Sequence, residues 1–595
     1  MEESKRMYRI LNDLRSTKHT SNSSKSKLST ILFAVEETIR ERNKRLGEIR
    51  AVEYFGAIST ALDSLDLNDT QNENLPPLVK LLSIVMPAVP SAVLKSVGKR
   101  FEHLFMGLWR SAETAARRGL MTCATYYLVS QSSQAFARPS LLRVLNAVLR
   151  GTTDSHSKTR RSAKTALLRV LQTQNDIVSS KIVSFAENHL STPPPSDDSS
   201  TTLYLMGMIK TVAPNMSSSS VSLLITNVLV ETLRKIGPST GGKQKRMTAV
   251  SILETLESVF RNPKIQVSSV SKRTAKVLLE CVPVASSPEV ISSWAPALAC
   301  CVRSIHVSNT LQDDSNLVAE AAESISRFFA NTHPGTLRSV SRSLETLSEC
   351  PVPVPTVLES THALSRVLRS YGSLLRPTFS HAWKFGLTCV GSLIGNLFRL
   401  HKNADHLVPH VRTLILELDD IRQGCAMSQS DPELAKICER SLSLVLSALG
   451  VSEFLNIVTF HKRTTGPGVV SIERSWLLAF LLKHIPDSPC NLDYFRTTIL
   501  ALARTCGVLL YYRALTLRNV FILKHSNTQV HVTKDRRIKN SQRMRENMNV
   551  HSVSDCGVCF LVSVFVAQML LRRILVLHVL LQTFCRMRTI QNLFL

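Results

Sequence analysis

Residues 161–171 read RSAKTALLRVL, with Ala163, Ala166, Leu167, Val170 and Leu171 at i, i+3, i+4, i+7 and i+8. That spacing gathers five apolar side chains on one stripe of a 3.6-residue helix and leaves the cations outside it. The same period recurs in 248–260 through Ala249, Ile252, Leu253, Leu256 and Phe260, and in 433–449 through Leu434, Ile437, Cys438, Leu442, Val445 and Leu449. Breaks carrying Pro, Ser, Asp or Asn separate such segments, as in LPPL from Leu75, VPSA from Val89 and CPVPVP from Cys350. No run of alternating strands joined by Asn-Gly or Asp-Gly turns occurs, so the pattern predicts an all-α chain.

From Lys27 to about Val458 the theme repeats without the strict motifs of tetratricopeptide or ankyrin repeats. Helix pairs of the HEAT or armadillo kind, with a period of roughly 40 to 47 residues, fit it, and the expectation is an α-solenoid. Each pair buries one face against the next and leaves a long face free for a long partner. The reading divides the chain into a basic N-terminus (1–27), N-terminal repeats (28–190), a linker STPPPSDDSS (191–200), middle repeats (201–370), a further repeat domain (371–505) and a tail (506–595). Gly237 to Arg246, GPSTGGKQKR, reads as a flexible basic loop.

Lys and Arg number 72 against 45 Asp and Glu, a net charge of +27 at a pI near 9.8, which favours a polyanionic partner. Aromatics at 6% and 21 glycines disfavour all-β folds. The thirteen cysteines are scattered, from Cys123 through Cys300 and Cys301 to Cys585, and read as reduced thiols, mostly buried. The polar N-terminus lacks an apolar signal region, so the Asn-Xaa-Ser/Thr matches at Asn22, Asn68 and Asn215 read as chance and the compartment as cytosolic or nuclear.

Gly237 to Gln244, GPSTGGKQ, falls short of a phosphate-cradling loop, because Gln244 stands where a hydroxyl must ligate Mg²⁺. The G-x-S-x-G match at Gly237 to Gly241 has Pro238 and no preceding strand. Cys556 and Cys559 have no second pair with which to close a zinc tetrahedron. No enzyme, cofactor or metal site is expected. The apolar runs at 558–571 and 574–584 are split by Arg572 and Arg573, so a membrane span is not expected.

Three basic clusters are candidates for phosphate contact: Lys158, Arg160, Arg161 and Lys164; Lys243, Lys245 and Arg246; and Lys534, Arg536 and Arg537 in the tail. A single cluster reads equally as a solvated face or a nuclear-import signal; the sum of +27 favours RNA. No aromatic platform interleaves with them, so contacts are expected to backbone and shape.

Arg474-Ser475-Trp476-Leu477-Leu478, then Lys483-His484-Ile485, Leu492-Asp493-Tyr494-Phe495 and Ile499 to Ala503, resembles the "RSWLLP … ILPLA" signature of the HEAT-repeat family of ribosomal RNA-processing protein twelve. His381-Ala382-Trp383, Arg440 to Val458, Leu28 to Arg40 with Tyr54-Phe55-Gly56-Ala57, and Lys158 to Leu171 resemble further family segments. The resemblance covers roughly 28–505; Ala479 replaces the family's Pro, Gly450 to Glu453 replaces its GPE turn, and nothing matches after about Thr505. The chain thus reads as the N-terminal half of such a protein followed by unrelated sequence.

The resemblance implies a non-enzymatic nuclear and nucleolar factor that associates with small-subunit precursor particles, supports their rRNA maturation and assists pre-ribosome export with assembly and export factors. The alternative is a karyopherin-like transport adaptor binding proteins rather than RNA, which the positive charge disfavours and a pull-down with Ran would discriminate. A nucleotide hydrolase built on Lys243 is the third reading, and it requires an ATPase activity that Lys243→Ala abolishes.

Overall fold

A computed structural model of the chain describes residues 2–16, 23–41, 49–65, 73–111, 114–191, 199–237, 242–265, 268–306, 315–331, 333–354, 359–401, 406–428, 431–459, 462–466, 469–472 and 474–484. They belong to two compact units, the chain dividing between Cys350 and Pro351.

The first unit opens with α1 (Glu2–Ser16), α2 (Ser23–Arg40), α3 (Ala51–Asp63), α4 (Leu75–Val85), α5 (Ser91–Ser96), α6 (Gly98–Ser111) and α7 (Thr114–Ser130). It continues through α8 (Pro139–Gly151), α9 (Ser157–Thr173), α10 (Asn175–Ser191), α11 (Ser199–Val212), α12 (Ser218–Leu223) and α13 (Glu231–Ile236), the last two joined by a π-helical segment, Leu224–Val230. It closes with α14 (Lys243–Arg261), α15 (Ser268–Glu280), α16 (Pro288–His306), α17 (Ser315–Ser326) and α18 (Pro334–Ser348). Helices α4, α7, α9, α11, α14, α16 and α18 form one row, each packed on the next. In the other layer α8 packs on α6, α10 on the π segment, that segment on α15, and α15 on α17. The unit is an α-solenoid of helix pairs.

The buried stripes follow from the sequence period. Ala163, Ala166, Leu167, Val170 and Leu171 of α9 are buried, as are Ala249, Ile252, Leu253, Leu256 and Phe260 of α14. Each buried leucine contributes about 1.5–3 kcal/mol by leaving water, which offsets the chain entropy lost in ordering the pair. Trp294 of α16 is 1% exposed and its indole N–H donates to the Leu278 carbonyl at 2.8 Å. Cys300 and Cys301 lie in the same core, and burial raises the pKa of both thiols. Pro296 sits inside α16 and has no N–H to give the Ser292 carbonyl one turn back. The hydroxyl of Ser339 on α18 donates to that oxygen instead.

The second unit contains α19 (Ala363–Gly372), α20 (Trp383–Leu400), α21 (Val408–Ser428), α22 (Pro432–Leu449), α23 (Val451–Ile457) and α24 (Ser475–His484). Gly391 is what lets α20 meet α22, since a Cβ there would lie 2.7 Å from the Ser441 Cα. Ser441 in turn donates to the Leu387 carbonyl at 2.8 Å, which satisfies a hydroxyl inside the interface. The stripe buried on α22 is therefore Cys438, Ser441, Leu442, Val445 and Leu446. The apolar period had placed Leu434, Ile437 and Leu449 there too, but these are only partly covered.

The all-α expectation holds, and three details differ from the sequence reading. A short antiparallel hairpin, β1 (Lys462–Gly466) with β2 (Val469–Ile472), interrupts the helices, with Lys462 opposite Ile472 and Thr464 opposite Val470. Its strands are short β-branched runs around Gly466-Pro467-Gly468, a turn composition that a search for Asn-Gly and Asp-Gly passes over. The basic loop is shorter than expected: Lys243, Lys245 and Arg246 open α14, while 238–241 lie outside the described residues. The linker is shorter too, because Ser191 ends α10 and Ser199 starts α11, which packs on α9 and α10.

Candidate functional site

Helix geometry divides the first basic cluster. Lys158, Arg161, Ser162, Thr165 and Arg169 recur at i, i+3, i+4, i+7 and i+11 and line a groove of about 730 Å³ between α1, α4, α7 and α9. Arg160 and Lys164 lie on the side of α9 that meets α11. Arg160 stacks 3.6 Å from the Tyr204 ring centre and donates to the Asp154 and Ser155 carbonyls, both at 2.7 Å. The Lys164 ammonium lies over Gly207, where it would be 3.1 Å from a Cβ. Burial first, and Arg160 second, lower the Lys164 pKa. Arg160 and Lys164, read from sequence as phosphate contacts, are thus committed to the α9–α11 contact.

The groove gathers cations that sequence reasoning missed: Arg6 from α1, Lys80 from α4, Arg118 from α7 and Arg169 from α9 join Lys158 and Arg161. Glu3 is the one carboxylate in its lining. The signal was present, since Lys80, Arg118 and Lys158 recur at about one repeat length, so stacking the repeats superimposes them. Gly119 sets their spacing. A Cβ at Gly119 would lie 2.8 Å from Val79 Cγ1 and 3.2 Å from the Val79 carbonyl, so its absence lets α7 approach α4 and bring Arg118 beside Lys80. Desolvation, and then the charge of Arg118, lower the Lys80 pKa. Arg169 donates to the Tyr126 hydroxyl at 2.8 Å. Ser83, Thr122, Thr125, Ser157, Ser162 and Thr165 add hydroxyls to the lining. Six cations with one acid and a hydroxylated floor can hold a polyanion through charge-assisted hydrogen bonds.

Of the other sequence candidates, Lys243 and Lys245 are exposed, and Arg246 pairs with Glu289 at 3.9 Å. Lys534, Arg536 and Arg537, Cys556 and Cys559, and the apolar runs of the tail lie outside the described residues. Among the described residues no helix is long and apolar enough to cross a membrane.

The Trp476 motif is a clasp. Arg474 pairs with Asp419 at 2.6 Å and donates to the Thr459 carbonyl at 2.7 Å, tying the start of α24 to α21. The Trp476 indole donates to Gln423 at 3.1 Å, and the Arg422 guanidinium lies 4.8 Å from its ring centre while pairing with Glu439 at 2.6 Å. Leu477, Phe480 and Leu481 are buried. The motif therefore holds α24 to its neighbours.

Two family models match the chain. That described as RRP12-like, N-terminal HEAT repeats, matches residues 15–267, and that described as Ribosomal RNA-processing protein 12, HEAT repeats, matches residues 312–512, across the clasp. The chain belongs to the RRP12-like HEAT-repeat family. A curated relative of this family member, the RRP12-like protein of Drosophila melanogaster, is 22% identical over 80% of this chain and 34% of its own. The chain spans about a third of the length of that relative. Among solved structures, Kap121p bound to Pho4p is similar at 12% identity and a TM-score of 0.46, over 85% of this chain and 49% of that one. The karyopherin Kap121p bound to the SUMO protease Ulp1p is similar at 13% identity and a TM-score of 0.28, over 87% and 64%.

Proposed function

We propose that this chain is a non-enzymatic ribosome-biogenesis scaffold of the nucleus and nucleolus that binds pre-rRNA and pre-ribosomal particles. In that role it supports small-subunit rRNA processing and pre-ribosome nuclear export, together with assembly and export factors. The observation that carries the reading is the groove of α1, α4, α7 and α9, where six cations face one carboxylate on a chain of the RRP12-like family. Lys158 and Arg161 with Lys80, Arg118, Arg6 and Arg169 would contact successive phosphates. Lys243 and Lys245, and Lys534, Arg536 and Arg537 of the tail, are further proposed contacts. Such contacts release counterions, so affinity falls with salt at a log–log slope of roughly 0.7 to 0.9 per phosphate.

Crosslinking of the tagged protein in cells, followed by sequencing of the recovered RNA, tests this reading. Enrichment of precursor ribosomal RNA, reduced by Lys158→Glu with Arg161→Glu, is the expected result. Recovery of protein partners without RNA would overturn it in favour of a transport adaptor.

A further inference from the structure

We propose that a second phosphate-binding patch, built by Arg261 of α14 with Arg338 and Arg342 of α18, lies on the same row of helices as the groove, and that a double-stranded RNA segment bridges the two. The inference rests on the groove reading above and extends it. Arg261, Arg338 and Arg342 line a cleft of about 230 Å³ with Ser292, Pro296 and Thr346, and Glu257 is the one carboxylate in its lining. Arg338 and Arg342 are exposed and one turn apart, an i,i+4 pair of like charges that disfavours the helix unless an anion sits between them. Neither has an ion-pair partner among the described residues, whereas Arg261 pairs with Glu257 at 2.6 Å. The hydroxyls of Ser339, Ser343 and Thr346 donate to the carbonyls of Ser292, Ser339 and Arg342, and the one negative charge in the lining, Glu257, is taken up by Arg261, which leaves Arg338 and Arg342 to a ligand. Guanidinium forks in such a cleft fit the paired oxygens of a phosphodiester.

The relation between the two patches argues for one long ligand. Between them Lys210 of α11 pairs with Glu254 of α14 at 2.7 Å and Arg246 of α14 with Glu289 of α16 at 3.9 Å, while Lys243 and Lys245 at the start of α14 stay exposed, so a ligand spanning both patches meets further positive charge on the way. Arg338 and Arg342 of α18 follow. The path from α9 to α18 crosses four helix contacts, on the order of 32–40 Å at about 8–10 Å each. A duplex rising roughly 3 Å per base pair needs about twelve pairs to cover it. A duplex is the form favoured because the one aromatic side chain in either lining, Tyr126, already has the Arg169 guanidinium 5.5 Å from its ring centre, so no platform is left on which single-stranded bases would stack.

Binding of the full chain to fluorescent RNA duplexes of about 8 and about 20 base pairs, titrated with salt, tests the inference. With Arg338→Glu plus Arg342→Glu, the long duplex should lose about tenfold in affinity and one to two units of salt slope, while the short duplex is unchanged. Arg338→Gln plus Arg342→Gln should show a smaller loss in the same direction with an unaltered melting curve, which separates lost charge from misfolding. Equal binding of the long duplex by native and variant chains would overturn the second patch while leaving the groove reading intact. Failure of the native chain to bind either duplex would overturn both. A loss seen with a phosphoserine peptide but not with the long duplex would assign the cleft to a protein ligand and refute the bridging RNA.

Discussion

The hydroxyl of Ser339 on α18 donates to the main-chain oxygen of Ser292 on α16, the carbonyl that Pro296 leaves without its helical donor. One residue of the neighbouring helix thereby completes the hydrogen bonding of a helix that contains an internal proline. Ser339→Ala is expected to cost about 1 kcal/mol by leaving the carbonyl unpaired. In a Pro296→Ala background the helical N–H returns, and the same change should cost close to nothing. A double-mutant cycle by denaturant melting checks this, and additive effects would refute the coupling.

Arg160 and Arg161 are adjacent in sequence but are expected to fail differently. Arg160→Ala removes a stacking contact with Tyr204 and two hydrogen bonds to carbonyls, and should lower stability by about 1–3 kcal/mol with little change in RNA salt dependence. Arg161→Ala should leave the melt unchanged and reduce the salt slope by about one. Parallel melts and salt titrations decide it; identical behaviour of the two variants would contradict the division of α9.

Lys80 illustrates a conflict between folding and binding. Its folded pKa lies below the unfolded value of 10.5 because of desolvation and then Arg118. The unfolded chain therefore binds that proton more tightly, so the charge is unfavourable to the fold below the folded pKa, and stability rises with pH between that value and 10.5. Lys80→Met should raise the melting temperature at neutral pH, flatten the alkaline rise, and weaken RNA binding by about one phosphate contact. A variant that melts lower while binding RNA unchanged would count against both assignments.

Arg474 and Asp419 should matter for the fold rather than for RNA. Asp419 is fully buried, and truncating its cationic partner leaves a charge desolvated, so Arg474→Ala should cost about 3–5 kcal/mol. Removing both side chains should recover much of that loss. Hydrogen exchange in α24 reports it directly, and full protection of α24 in the single variant would show that the clasp is dispensable.

The five-residue stripe of 161–171 was sufficient to predict α9 and its buried face, because amphipathic period is a local property that each repeat satisfies with its nearest neighbours. The Trp476 motif was likewise legible as a family resemblance, though its clasp with Asp419, Gln423 and Arg422 required the partners on α21 to be in place. On α22 the period missed Ser441, since a polar residue joins the core only where a carbonyl such as that of Leu387 can accept from it.

By itself the amino-acid order determined the helices, their pairing into a solenoid, the excess of positive charge and the cluster on α9. The tertiary structure alone decided which cations act together. Sequence neighbours Arg160 and Arg161 are separated because a helix turns 100° per residue, while Lys80, Arg118 and Lys158 are united because stacking converts a repeat-length spacing into a shared face.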